Sequence, residues 1–232
     1  MTQNATGARM LRQMLGQGGG GSLVDRIVED LAMQIIDGTL VPGADVNSVE
    51  LAKRYATSRT PVREALLTLQ REGLVEIPAR RRPRVAPVTA NQIRDVYEVR
   101  ANLHGLVSEL IVRKAPDLDV LWSWQAKLVA DAERDDVDSY FWHNVAFRQA
   151  EAEVAGNAQL ARTLSSLGLR TLQWRHVSLS LPGRLDRSVS DHDRLLLAYR
   201  DGDAHLAVAI TKSIIMNGLK AIEGSGWVEA QR

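Results

Sequence analysis

From Ala90 to about residue 222, apolar side chains recur at helical spacing and no segment alternates in the manner of a strand. Proline and glycine interrupt this pattern at Pro116, Gly156, Pro182 and Gly202. More than half of the chain is therefore restricted to helices joined by short turns. The pattern predicts six helices, over residues 90–114, 117–134, 137–155, 158–180, 185–201 and 203–222, in an antiparallel bundle.

The segment before this bundle has a different organisation. Apolar spacing predicts a helix over residues 23–37, capped by Ser22, and a short second helix after Asn47 or Ser48. A third helix begins at Thr57 or Ser58. Two short strands, residues 74–77 and 84–86, then flank an arginine-rich turn at residues 78–83. Three helices and a hairpin make a winged helix-turn-helix, so the fold class is mainly α, with this unit followed by an all-α antiparallel bundle.

The length of 232 residues is enough for two domains with separate cores. Residues 1–21 contain four consecutive glycines from Gly18 to Gly21 and are expected to form a flexible tail. We therefore predict a winged domain at residues 22–88, a ligand-sensing and dimerisation domain at residues 89–223, and a second tail at residues 224–232.

Composition excludes several classes of protein. Hydrophobic residues are 45% and charged residues 25% of the chain, which is typical of a globular protein. No apolar run approaches the roughly 18 residues that a membrane span needs, and no secretory leader is apparent, so we expect a cytoplasmic protein without a membrane partner. The absence of cysteine excludes disulfides, thiolate metal sites and a cysteine nucleophile.

The net charge of +1 conceals a local excess of basic residues. Residues 47–88 contain nine Lys or Arg against four Asp or Glu, a surplus of five. Since binding to a polyanion depends on the phosphates neutralised at one face, this segment is the candidate DNA-binding region.

The third helix has the polarity that a DNA-recognition helix needs. Arg59 and Arg63 lie one turn apart on the face opposite Leu66 and Leu69, where they can contact guanine edges or phosphates. Hydroxyls near the start of this helix and arginines on the wing complete the predicted DNA-binding set: Thr57, Ser58, Thr60, Arg80, Arg81, Arg82 and Arg84. Taken singly, each arginine favours the interpretation of a solvated surface helix or an exposed charged loop.

Residues 51–66 (LAKRYATSRTPVREAL), followed by Leu69 and residues 72–75 (EGLV), closely resemble the helix-turn-helix of the GntR family of bacterial transcriptional regulators. Residues 36–43 (IDGTLVPG) resemble the segment that precedes it in that family. The resemblance implies that Arg59 and Arg63 are principal DNA contacts. It also shows one departure, because Arg80 stands where the wing usually carries glycine.

The second half resembles the FCD-type effector domain of the FadR subfamily, through residues 95–100 (DVYEVR), 146–148 (AFR), 156–157 (GN), 191–192 (DH) and 202–203 (GD). Six helices favour the shorter, VanR-like branch. Many such domains bind a divalent metal through one Asp and three His. The corresponding positions here are Asn144, Arg148, His192 and Ile214, a set too poor in ligands for a metal, so no metal or other cofactor is predicted.

Helical spacing directs several polar side chains into the bundle. Arg100 and His104 share the face of Ile93 and Tyr97, while Arg148 and His192 lie in line with apolar neighbours on their own helices. A buried arginine needs an anionic partner. We therefore expect Arg100 and Arg148 to bind an anionic, carboxylate-bearing effector with help from His104, Asn144 and His192. The alternative is that Arg148 pairs with an internal carboxylate such as Glu98 or Glu151 and that His192 is a structural core residue.

No catalytic residue is predicted. The sequence Ser190, Asp191, His192 cannot form a triad, because consecutive residues on a helix do not face one another. The expected protein is a homodimer that binds a pseudo-palindromic double-stranded DNA operator under the control of a small molecule, acting as a repressor or an activator. The alternative is a DNA-binding dimer whose second half only dimerises.

Overall fold

The computed structural model describes residues 5–16, 21–167 and 169–231. Within these residues it contains eleven α-helices, one two-stranded hairpin and a final 3₁₀ turn at Glu229–Gln231. The predicted fold class is confirmed. The elements are α1 (Ala5–Met14), α2 (Leu23–Ile36), α3 (Ser48–Arg54), α4 (Arg59–Arg71), β1 (Val75–Glu76), β2 (Arg84–Val85), α5 (Ala90–Lys114), α6 (Asp119–Glu133), α7 (Val137–Ala155), α8 (Ala158–Ser166), α9 (Arg170–Leu179), α10 (Arg184–Arg200) and α11 (Ala204–Gly224).

Helices α2 to α4 and the hairpin form the winged helix. Ser22 caps α2 in a capping box with Asp25, and the side chain of Asn47 accepts from main-chain amides at the start of α3. β1 and β2 pair antiparallel, with Val75 opposite Val85. The apolar stripes of the helices meet in a core of fully buried side chains that includes Ile27, Leu31, Val62, Leu66 and Leu69.

Helices α5 to α11 form the second unit, in which α5 and α11 pack along each other. The prediction of a single helix over residues 158–180 is wrong, because α8 ends at Ser166 and α9 begins at Arg170. Two serines and a glycine at residues 165–168 have low helix propensity and favour a break there. The described part of this unit thus contains seven helices, so the helix count no longer favours the VanR-like branch, which stays a prediction.

The expected N-terminal tail is also corrected. Residues 17–20, which hold most of the glycine run, lie outside the described residues, but α1 precedes them and packs on α7. Met10 and Leu11 are buried there, and Met14 is packed against the same core. Apolar residues one turn apart thus give this short segment enough buried surface to form a helix.

The C-terminal tail begins later than expected and is anchored. α11 continues to Gly224, and beyond it Val228 is 4% exposed and packs in a cluster with Ile93, Tyr97 and Trp174. Burial of one valine in an apolar cluster contributes about 1.5–3 kcal/mol toward ordering this terminus.

The two units meet at α2 and α9. Nε2 of Gln173 on α9 donates to the main-chain oxygen of Ile35 on α2 over 2.7 Å, in a buried position. A second connection runs through α1, where Arg12 lies 3.5 Å from Glu29 of α2. None of the described helices is both long and apolar enough to cross a membrane.

Candidate functional site

Helix α4 presents the first group of predicted residues. Ser58 is its N-cap, and Arg59, Thr60 and Arg63 are exposed on its first two turns, whereas Val62 and Leu66 are buried beneath them. The Ser58 hydroxyl makes no capping hydrogen bond, and Thr57, just before it, is half-buried. The helix thus offers guanidinium and hydroxyl groups to an external ligand while its other face holds the core.

The wing carries the second group. Arg80, Arg81 and Arg82 are exposed at its tip. Arg84 is partly committed, because its guanidinium donates to Oε2 of Glu76 across the hairpin at 2.9 and 3.2 Å. Arg80 has φ +59°, in the left-handed region that favours glycine. The wing therefore keeps a turn suited to glycine and places an arginine in it.

The helix and the wing enclose one groove. It is lined by Arg59 at the start of α4 and by all four wing arginines, with Asp45 and Ser48 on the same surface. Arg63, one turn farther along α4, is exposed outside this groove. This concentration of guanidinium groups attracts a polyanion that is wide enough to contact both α4 and the wing.

The bundle contains a second candidate site, which we call the arginine pocket. It is a cavity of about 50 Å³ lined by four arginines from four helices. Arg100 comes from α5, Arg148 from α7, Arg175 from α9 and Arg184 from α10. Tyr97, Asn144, Ser178, Ser188 and Ile214 are also in its wall.

Arg148 is the best satisfied of the four arginines. Its Nη1 donates to Oε2 of Glu151 over 2.8 Å, and both side chains are buried. Oε1 of Glu151 accepts from the hydroxyl of Tyr199, also over 2.8 Å. Nη2 of Arg148 donates to Nε2 of His192 over 3.2 Å. The internal carboxylate that the alternative interpretation required is therefore present, and it is Glu151 rather than Glu98.

Arg100 and Arg175 lack such a partner, whereas Arg184 is near the buried carboxylate of Asp191. Arg100 is 6% exposed and stacks on the ring of Tyr97, and Arg175 donates to Oδ1 of Asn144 over 2.9 Å, but neither has a carboxylate in ion-pair contact among the described residues. Burial, with the nearby charge of Arg100, lowers the pKa of Arg175 to about 9. Burial also lowers the pKa values of Arg100 and Arg184. The pocket thus holds more positive charge than its own side chains compensate.

The positions that would hold a metal in related domains do not fit one. Nε2 of His192 and Oδ1 of Asn144, the two atoms suited to ligation, both accept from arginines, and Arg148 and Ile214 supply no ligand. In the part of the chain that the structure describes, no group of three or more His, Cys, Asp or Glu is placed to hold a metal ion. The positive guanidinium groups at these positions repel a divalent cation.

The predicted effector residues are only partly brought together. Arg100, Asn144 and Arg148 line the arginine pocket, His192 lies behind Arg148, and His104 faces a second cavity on the other side of the arginines. Sequence reasoning missed Arg175 and Arg184. Because one continuous helix was predicted over residues 158–180, the face on which Arg175 lies could not be predicted correctly. Arg184 precedes the predicted start of its helix at residue 185, so helical spacing did not indicate that it is buried.

Comparison with known proteins gives two family matches. Residues 23–85 match the model of the gntR family of bacterial regulatory proteins, and residues 95–217, just over half of the chain, match the FCD domain. Helix α1 precedes both matched segments.

Individual relatives agree with these matches. The uncharacterized HTH-type transcriptional regulator YdhC of Bacillus subtilis is 33% identical over 87 residues, which are 38% of this chain and 39% of that protein. A probable D-xylose utilization operon transcriptional repressor of Paenarthrobacter nicotinovorans is 27% identical over 189 residues, 80% of this chain and 82% of the relative. The solved structure of McbR/YncC from E. coli superimposes with a TM-score of 0.73 over 88% of this chain and 99% of the other, at 24% identity.

Proposed function

The chain belongs to the GntR family of bacterial regulatory proteins, in the group that carries an FCD domain, and we propose that a small anionic metabolite bound in the arginine pocket controls its binding to an operator. As a member of this family it is a DNA-binding transcriptional regulator and not an enzyme. The operator geometry, the effector class and the dimer are parts of the proposal.

For DNA binding, we assign Arg59 and Arg63 to base edges or phosphates of the major groove, with Thr57, Ser58 and Thr60 contacting the adjacent backbone. Arg80, Arg81 and Arg82 would meet the neighbouring phosphates or minor groove, and Arg84 contributes less because Glu76 already binds it. Two such units in a homodimer would bind two half-sites of a pseudo-palindrome. Light scattering of the purified protein, with and without a palindromic duplex, tests the dimer.

The observation that carries the effector assignment is the uncompensated charge of the arginine pocket. Four guanidinium groups line it, and among the described residues only one buried carboxylate, that of Glu151, is in ion-pair contact with them; it is already bonded to Arg148 and Tyr199, while the charge of the buried Asp191 acts on Arg184. Leaving buried cations unpaired is costly, so a bound anion is strongly favoured. Arg100 and Arg175 are its proposed principal contacts, with Arg148 and Asn144 beside them and His192 holding Arg148 in place.

A thermal-shift screen tests this assignment, using acetate, succinate, citrate and inorganic phosphate beside the neutral sugar D-xylose. An anion that binds the folded state raises the melting temperature by mass action, and D-xylose should not. The response should disappear in Arg100→Gln. It should persist in Arg113→Gln, because Arg113 is an exposed arginine on the same helix.

The screen also separates the second candidate function. The Arg148–Glu151 pair favours a purely structural role for Arg148, as expected if this half of the chain only dimerises. If no anion stabilises the wild-type protein and light scattering still gives a dimer, the anion-sensor proposal is wrong and that simpler function replaces it.

A further inference from the structure

A second cavity adjoins the arginine pocket and is much larger. It lies among α1, α5, α7, α8 and α9 and has a volume of about 260 Å³, compared with about 50 Å³ for the arginine pocket. The two cavities share Arg100, Arg148 and Arg175, which form a wall between them. A ligand in the second cavity therefore reaches the same guanidinium groups from the opposite side.

The wall of this cavity has two chemically different parts. Away from the arginines its apolar side chains are Met14, Val145, Ala152, Ala161, Leu164 and Leu172, and Gln13, Gln149, Ser165 and Thr171 add polar groups. Glu153 also lines it, but this residue is exposed and its carboxylate accepts from Gln149 over 3.0 Å. The cavity therefore combines a cationic end with an apolar body.

His104 adds a polar side chain to the same wall. It is 6% exposed and lines this cavity, while its Nδ1, which makes no hydrogen bond to the described residues, is itself covered. Burial beside Arg148 and Arg100 holds the pKa of His104 well below its usual range, so the ring is neutral. A neutral imidazole can donate one hydrogen bond to a carboxylate that the arginines neutralise.

We propose that the second cavity binds the apolar body of an amphipathic carboxylic acid whose carboxylate lies against Arg100, Arg175 and His104. This inference rests on the proposed function, because the carboxylate of the effector binds the same guanidinium groups, here from the side of the second cavity. A small anion such as phosphate fits the arginine pocket alone, whereas only a ligand with an apolar chain uses both parts of the second cavity.

Helix α1 closes this cavity. Gln13 and Met14 are part of its wall, and the helix is held on α7 by the buried side chains of Met10 and Leu11. Because Arg12 of the same helix pairs with Glu29 of α2, a ligand in the cavity contacts an element that also contacts the winged unit. The proposed acid is thus placed to influence both halves of the chain.

Calorimetric titration of the full chain with straight-chain monocarboxylates, from acetate to octanoate, tests the proposal. Each methylene that enters an apolar cavity should tighten binding about fourfold, until the cavity is filled. Ala161→Leu fills the cavity and should weaken octanoate at least tenfold without affecting acetate. Ala158→Leu, an exposed position on the same helix, is the matched control for adsorption of octanoate to the surface.

A second pair of variants covers the case in which Ala161→Leu does not fold. Met14→Glu places a negative charge in the partly exposed part of the wall and should weaken octanoate about tenfold, whereas Met14→Gln should have a smaller effect. If acetate binds and affinity does not rise with chain length, or if the Leu and Glu variants bind octanoate like their controls, the second-cavity proposal is wrong and the anion-sensor proposal stands. If none of the acids binds, both proposals are wrong.

Discussion

Arg148 donates from Nη2 to Nε2 of His192 over 3.2 Å, and this contact fixes which ring nitrogen carries the proton. Arginine has no acceptor, so Nε2 must be the unprotonated nitrogen and the hydrogen is on Nδ1. The ring is fully buried and stacks on Phe147 at a centroid distance of 4.6 Å. His192 is therefore a neutral residue that supports the arginine.

The first prediction concerns acid stability. Burial and the nearby Arg148 hold the pKa values of His104 and His192 well below the usual range, whereas the unfolded chain titrates near pH 6.5. Below about pH 6.5 the unfolded state binds protons that the native state does not. The contribution of these histidines to the free energy of unfolding is therefore fully present above about pH 6.5. It decreases as the pH falls toward their lowered native pKa values, by up to about 1.4 kcal/mol per pH unit for each histidine.

Chemical denaturation between pH 8 and pH 5 measures this dependence. His104→Gln should reduce the slope below pH 6.5, while His205→Gln, at an exposed position, should leave it unchanged. Equal slopes in the wild type and His104→Gln would show that the buried ring does not contribute.

The second prediction contrasts two pocket arginines in the absence of ligand. Arg100→Gln should stabilise the protein or leave it unchanged, because a buried cation without a carboxylate partner is removed. Arg148→Gln should destabilise it by about 3–5 kcal/mol, because Glu151 would remain buried without its ion pair. Urea denaturation measures both. Recovery of stability in Arg148→Gln/Glu151→Gln would confirm the cause, and similar losses in both single variants would contradict it.

The third prediction concerns the recognition helix. Arg63→Ala and Arg59→Ala should each weaken binding to the cognate operator by about 1–3 kcal/mol. Arg71→Ala removes an exposed charge from the far end of the same helix and should have little effect. Fluorescence anisotropy at several salt concentrations measures these affinities. Equal losses for Arg63→Ala and Arg71→Ala would mean that only the general charge of the domain matters.

The fourth prediction concerns the wing turn. Arg80→Gly should raise stability relative to Arg80→Ala by about 1 kcal/mol, because glycine adopts the positive φ without steric cost. Both variants lose the same charge, so both should weaken DNA binding to a similar extent. In both, the slope of the logarithm of the binding constant against the logarithm of the salt concentration should become shallower by about one unit. If the two variants melt at the same temperature, the turn does not retain this backbone conformation in solution.

The sequence predicts some parts of this molecule better than others, for physical reasons. Helices α2 to α4 follow from caps such as Ser22 and Asn47 and from a regular apolar stripe, which are local signals. Arg175 depends on where α8 ends and on which face α9 turns inward, and both are decided by packing. α1 was missed because two buried residues, Met10 and Leu11, are too few to stand out beside a run of glycines.

The hydrogen bond from Gln173 to Ile35 has an evolutionary consequence. Its acceptor is a main-chain oxygen, which any residue at position 35 would supply. The winged unit can therefore diverge in sequence, or be exchanged for another of the same shape, without losing this contact. A single substitution of Gln173 in the bundle, in contrast, can abolish it. Selection on the joint between the two halves of the chain should consequently act on position 173 and leave position 35 free to vary among apolar residues.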